Sequence, residues 1–190
     1  MSEHVIALSG NPRPGSRTTA AANELAGRVA AAVLDVEPGA AARTVDLADL
    51  AGEIFAPVHP RVDEALAAVR DARLLIVATP VYKASYTGLL KSFLDLYGPN
   101  GLAGVVAVPL VVSGNPAHAL AGEVHLRPLL VELGAVVPAR SVTVLDSQLA
   151  DLGDVVDRWL EAGAQSALTA ALTSVTAGAA LSSVTAGAAL

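Results

Sequence analysis

The sequence predicts an α/β protein built on a doubly wound parallel sheet with helices on both faces. Three observations predict it. Short, continuous apolar runs recur along the chain, as expected of strands buried on both faces. Helical patterns lie between them. Strand and helix alternate five times, which calls for right-handed crossovers. A chain of 190 residues suits one domain with a sizeable core.

The elements follow in order. The run "HVIALS" ends at Gly and Pro and has no basic residues before it, so Val5–Ser9 is a first strand rather than part of a signal peptide. Thr18–Leu34 reads as the first helix, Arg43–Leu47 as a weaker strand and Arg61–Asp71 as the second helix. Leu74–Thr79 is a strand, Thr87–Tyr97 a helix and Val105–Ser113 a long strand. His118–Leu133 reads as a helix, Val142–Leu145 as a weaker strand and Leu152–Ala164 as the last helix. Residues 1–165 are expected to form the domain and 166–190 a tail. The tail is uncharged and carries "SVTAGAAL" twice, at 174–181 and 183–190. Ser, Thr and Gly interrupt it, so a flexible or partly helical extension fits better than a membrane anchor. A repeated apolar tag also suits docking to a partner.

Twelve basic and eighteen acidic residues leave a net charge of −6. That balance gives no basic face for sequence-independent nucleic-acid binding. With no cysteine, disulfides, thiolate catalysis and cysteine-ligated metal sites are excluded, and a cytoplasmic protein is expected. The apolar "LLKSFLDLYG" suggests more greasy helix surface than one sheet face needs, hence a homo-oligomer.

In such sheets ligands sit beyond the carboxyl ends of the strands. Three turns lie there: "SGNPRPGSRT", "TPVYKASYTG" and "SGNPAH". In the first, Gly10 and Gly15 have P-loop spacing, but Ser16 and Arg17 stand where a triphosphate loop needs Lys and a hydroxyl. Helix N–H groups, the Arg13 guanidinium and polar groups of Ser9, Asn11, Ser16 and Thr18 suit a phosphate monoester instead. As a plain structural turn, the same stretch would need only Thr18 as a helix cap. In the second turn Pro80, Val81 and Tyr82 place an apolar wall and an aromatic at the sheet edge, with Tyr86 either stacking or packing. In the third, Ser113, Gly114 and Asn115 can approach a ring edge with backbone N–H groups. A phosphate joined to a flat heterocycle fits these parts, and FMN answers that description. No "GxGxxG" follows a strand, so a dinucleotide fold has no support.

The order "SGNPRPGSRT … TPVYKASYTGLLKSFLDL … SGNPAHAL … LRPLLVELGA" resembles the NADPH-dependent FMN reductases of the flavodoxin-like superfamily. The resemblance runs from Val5 to about Gln148 and is nearest to reductases that supply alkanesulfonate or methanesulfonate monooxygenases. It implies the flavodoxin-like strand order 2-1-3-4-5, hydride transfer from NADPH or NADH to FMN, and a flavin-dependent monooxygenase as partner. It also implies that Asn11, Arg13, Ser16 and Thr18 hold the phosphate, that Pro80, Val81 and Tyr82 line the isoalloxazine, and that Ser113, Gly114 and Asn115 close over it. Two departures stand out. Asn11 replaces the common Ser, and Val124, followed by His125, stands where sulfonate-system members often carry an aromatic or His. That position is associated with a π-bulge and flavin exchange between subunits.

His118, Glu123 and His125 do not make a metal site, since His118 and His125 lie two turns apart on a helix. His118 is expected to cap its helix or touch the pocket. Asp46, Asp95 and Asp146, near element ends, are expected to be structural. No "GxSxG" or "HExxH" appears. Two alternatives stay open: a quinone or azo-compound reductase that keeps its FMN, and a flavodoxin-type electron carrier.

Overall fold

The computed structural model describes residues 5–34 and 42–187, with side chains through Gly178. His4 of the first apolar run and the last three residues of the second repeat lie outside the described residues. Five strands, β1 (Val5–Ser9), β2 (Arg43–Asp46), β3 (Leu74–Pro80), β4 (Val106–Ser113) and β5 (Val142–Leu145), pair in parallel in the order β2-β1-β3-β4-β5. Helices α1 (Arg17–Val33), α2 (Pro60–Arg70), α3 (Gly88–Leu94), α4 (Arg127–Glu132), α5 (Leu152–Trp159) and α6 (Gln165–Gly187) cover the two faces. The expected sheet order is the observed one.

Alternation along each strand divides the core in two. Ile6, Leu8, Leu75, Val77, Ala107 and Val111 face α2, α3 and α4, against Val62, Val69, Leu90, Phe93 and Leu130. Their neighbours Val5, Ala7, Leu74, Ile76, Val108 and Leu110 face α1, α5 and α6. There α1 buries Ala21, Ala22, Ala26 and Ala30, small side chains that let the helix lie close to the sheet.

Pro109 sits within the central strand β4, opposite Val77, where a missing N–H is costly. The N–H of Val106 points to the Arg73 carbonyl just before β3, and that of Ala107 points the other way, to the Val136 carbonyl. Residue 109 therefore faces the β5 side, and there β5 begins to pair only at Leu110. The proline falls in the gap of that ladder.

The region beyond 165 is a single helix, Gln165–Gly187, turned from α5 by a kink at Gly163. It carries Leu168 and Leu172 into the core beside Val108 and Leu110. Arg73 donates to Thr176 Oγ1 at 3.4 Å. The 165/166 division expected from composition thus falls within packed structure, because alternate small residues hid an apolar stripe. "LLKSFLDLYG" also differs from expectation: Leu90, Phe93 and Leu94 are fully buried in this chain's own core, and the Tyr97 hydroxyl donates to the Leu66 carbonyl. Among the described residues no helix is long and apolar enough to cross a membrane.

Candidate functional site

The first turn connects β1 to α1 and is held by its own polar side chains. Ser16, not Thr18, caps α1, accepting from the Thr19 N–H at 3.2 Å. The Thr19 hydroxyl donates to Asp46 Oδ2 at 3.0 Å. Its proton being engaged there, Thr19 Oγ1 accepts from both Ser9 (2.8 Å) and Ser16 (3.0 Å). Asp46 Oδ2 also accepts from the Gly15 N–H, and Oδ1 from the Ala48 N–H. Asn11 spans the loop, its Oδ1 accepting from the Arg13 N–H and its Nδ2 donating to Thr18 Oγ1, both at 3.0 Å. Most of the hydroxyls and amides that mark this loop in sequence therefore bind one another.

Gly10 sets the depth of the turn. Its N–H donates to the Ala78 carbonyl, and a Cβ there would stand 2.7 Å from Leu90 Cβ. The Gly10 carbonyl accepts from the Thr87 hydroxyl at 2.5 Å, which ties the first turn to the second. Thr87 also caps α3 through the Leu90 N–H and donates its own N–H to Thr79 Oγ1.

In the second turn the Tyr82 and Ser85 backbones exchange both hydrogen bonds around Lys83 (φ 51) and Ala84 (φ 66). Two consecutive positive φ values define a type I′ turn, which ordinarily selects Asn-Gly. Val81 N–H donates to the Val112 carbonyl, placing Tyr82 on the rim, 44 % exposed. Tyr86 packs against the core.

A cavity of about 390 Å³ opens between these turns. Asn11, Arg13, Ser16 and Thr18 line one part, Pro80, Val81 and Tyr82 another, and Gly114 a third. Eight of the expected site residues are thus gathered in one place. The other three stand behind it: Ser9 is fully buried against Thr19, the buried Ser113 hydroxyl donates to the Asn115 carbonyl, and exposed Asn115 caps the next turn through the Ala117 N–H. His118 ends that short 3₁₀ turn, with Nδ1 3.4 Å from Ser113 Oγ. The sequence reading passed over Pro14, Arg17, Val112 and Asp146, which also line the cavity. Arg17 Nη2 lies 3.3 Å from Asp146 Oδ1. Asp146 therefore belongs to the cavity wall, unlike Asp46, which braces the loop, and Asp95, which pairs with Lys91 on the surface.

Beyond the third turn the expected helix from His118 is broken up. Gly122–Leu126 forms a π turn in which the Arg127 N–H reaches back to the Gly122 carbonyl. Pro128 follows, with no N–H to donate to Val124, so the ordinary ladder cannot close there. The segment is fixed from outside. Arg127 donates to the carbonyls of Val137 and Ala139, and Glu123 accepts from the Ser141 N–H at 2.5 Å. Burial alone would raise the Glu123 carboxyl, but the Ser141 bond, with Arg127 and Arg140 nearby, holds it below its ordinary range. Val124 and His125 point outward, with Leu120 and Val131 also exposed. Among the described residues no three His, Asp or Glu side chains are grouped to hold a metal.

The model of the family described as NADPH-dependent FMN reductase matches residues 4–149. The chain belongs to that family. It is 35% identical to the NADH-dependent FMN reductase SfnF of Pseudomonas fluorescens, over 77% of this chain and 79% of that one. It is 46% identical to the FMN reductase (NADPH) of Escherichia coli over 44% of each. The chain therefore spans about half the length of that curated relative. The apo structure of the NADH:FMN oxidoreductase EMOB superposes with a TM-score of 0.60 at 35% identity, covering 81% of this chain and 86% of that one.

Proposed function

We propose that this FMN reductase family member transfers a hydride equivalent from reduced nicotinamide to FMN. One observation carries the reading: a single cavity joins two guanidinium groups and a helix N-terminus to a Pro-Val-Tyr wall. That donor set suits a phosphate monoester tethered to a flat ring. α1 leaves its first N–H groups without intrahelical partners, so they and the helix dipole favour an anion, with Arg13 beside them. Pro80, Val81 and Tyr82 orient the ring, and the tight I′ turn keeps Tyr82 on the rim.

When bound, the flavin supplies the hydride-accepting chemistry itself. The chain's part is to align two reactants and to present N–H dipoles where negative charge develops. No side-chain acid or base is required. The exposed rim supports a further reading, that reduced flavin leaves for a flavin-dependent monooxygenase. Exposed Leu120, Val124 and Val131 beside the π turn support self-association of the chain.

The test is steady-state NADPH and NADH oxidation across a series of FMN concentrations. A rate that saturates with free FMN supports the reductase. Quinone or azo-dye reduction at full rate without added flavin replaces it with the bound-flavin enzyme, and tight FMN binding without NAD(P)H oxidation replaces it with a carrier.

A further inference from the structure

Three charged side chains line the cavity, Arg13, Arg17 and Asp146, and the last is an acid in a pocket read as a phosphate site. Asp146 stands where β5 ends, and the chain around it is held because Gln148 Oε1 accepts from the Leu145 N–H at 3.0 Å. Arg17 is the first residue of α1, its backbone fixed by the Ser16 cap. The ion pair between them therefore spans two anchored backbones. The side chains are less confined, at 70% exposure for Arg17 and 46% for Asp146. The longer guanidinium can change partners, while the shorter carboxylate stays near its backbone.

A phosphate monoester brings about −1.5 to −2 charges and would draw both arginines. We propose that Asp146 sets the strength of the phosphate hold: it keeps Arg17 in competition with the flavin phosphate, so that binding must exchange one Arg17 partner for another. The phosphate then gains less from Arg17 than from Arg13, which the ion pair leaves alone. A reductase whose flavin must leave is served by such a weakened clamp. This inference rests on the flavin reading of the cavity.

The experiment titrates FMN and riboflavin, by flavin fluorescence, into wild type, Asp146→Asn, Arg17→Gln and the double variant. Asp146→Asn is expected to tighten FMN on the order of 3- to 10-fold at low salt, an effect that shrinks toward ~0.5 M salt. Riboflavin, lacking the phosphate, is expected to move less than about twofold. In the Arg17→Gln background the Asp146→Asn gain should fall, because the competed partner is gone. Weaker binding of both flavins in Asp146→Asn would overturn the proposal, making Asp146 an acceptor for the ring or ribityl chain. Unchanged FMN affinity would overturn it too, leaving the reductase reading intact. A wild-type chain that binds neither flavin would overturn that reading, and this proposal with it.

Discussion

The first and second turns of the cavity use opposite means to hold their shape. Residues 10–18 are stitched by side chains in two groups: Asn11 with Thr18, and Ser16 with Ser9, Thr19 and Asp46 behind it. The hydrogen bonds of residues 81–86 come from the backbone, in an I′ turn forced on two non-glycine residues, with Val81 and Tyr86 packed on the core at its ends. The difference teaches that polar residues in a binding loop need not be the ones that bind. In the first turn they position backbone N–H groups and leave the Arg13 guanidinium free to meet an anion. In the second, a conformation that costs energy carries the aromatic.

If that contrast is right, the largest effect belongs to a residue outside the cavity. Asp46→Ala removes the acceptor for Gly15, Thr19 and Ala48 at once. A half-buried charged acceptor with three partners suggests a loss of about 2–3 kcal/mol in stability. FMN and riboflavin binding should both weaken, since the whole turn loosens. Urea unfolding with parallel flavin titration checks this, and unchanged stability would break the picture of a stitched loop.

Arg13→Ala should behave in the opposite way. Arg13 is exposed, and its side chain takes no part in the network. FMN affinity should fall by about 1.5–3 kcal/mol, the worth of a charge-assisted contact, with riboflavin much less affected and the urea midpoint unmoved. Equal weakening of both flavins would place Arg13 off the phosphate.

How much of this was legible beforehand follows the range of the interactions. The three central strands β1, β3 and β4 were readable because they are buried on both faces, the edge strands β2 and β5 less so, and the boundaries in sequence and structure agree within a residue or two. Arg13, Val81 and Tyr82 were readable because turn chemistry is local. Thr19 and Asp46 were not, since their meeting joins residues 27 positions apart with no local mark. Asp146 reads in sequence as an element end, and its ion pair with Arg17 joins the end of β5 to the start of α1 with no local mark. The π turn depends on Arg127 and Glu123 reaching the chain that leads into β5, contacts invisible to periodicity. Leu168 and Leu172 were missed among Ala, Ser and Thr, where the apolar stripe is thin.

Tyr82→Ala tests the wall. Stacking is worth about 0.5–1.5 kcal/mol beyond area burial, so FMN and riboflavin should weaken alike by that amount. The loss should roughly add to that of Arg13→Ala, because the two side chains belong to different turns and share no partner. A double variant titrated with FMN decides it. Strong non-additivity would mean that the two turns move as one unit through the Thr87–Gly10 bond.

The smallest effect is the most specific to the comparison, because it should improve the protein. Ala84 sits at φ 66 in a turn whose geometry favours glycine. A left-handed residue with a Cβ costs roughly 1–2 kcal/mol, and glycine's greater freedom in the unfolded chain takes back about 0.5–1. Ala84→Gly should therefore raise stability by up to about 1.5 kcal/mol, seen as a higher urea midpoint. If the turn serves only to place Tyr82, FMN affinity should stay within about twofold, since the backbone bonds between Tyr82 and Ser85 remain. A more stable protein with weaker flavin binding would show instead that the stiffness of a substituted turn is itself part of how the ring is held.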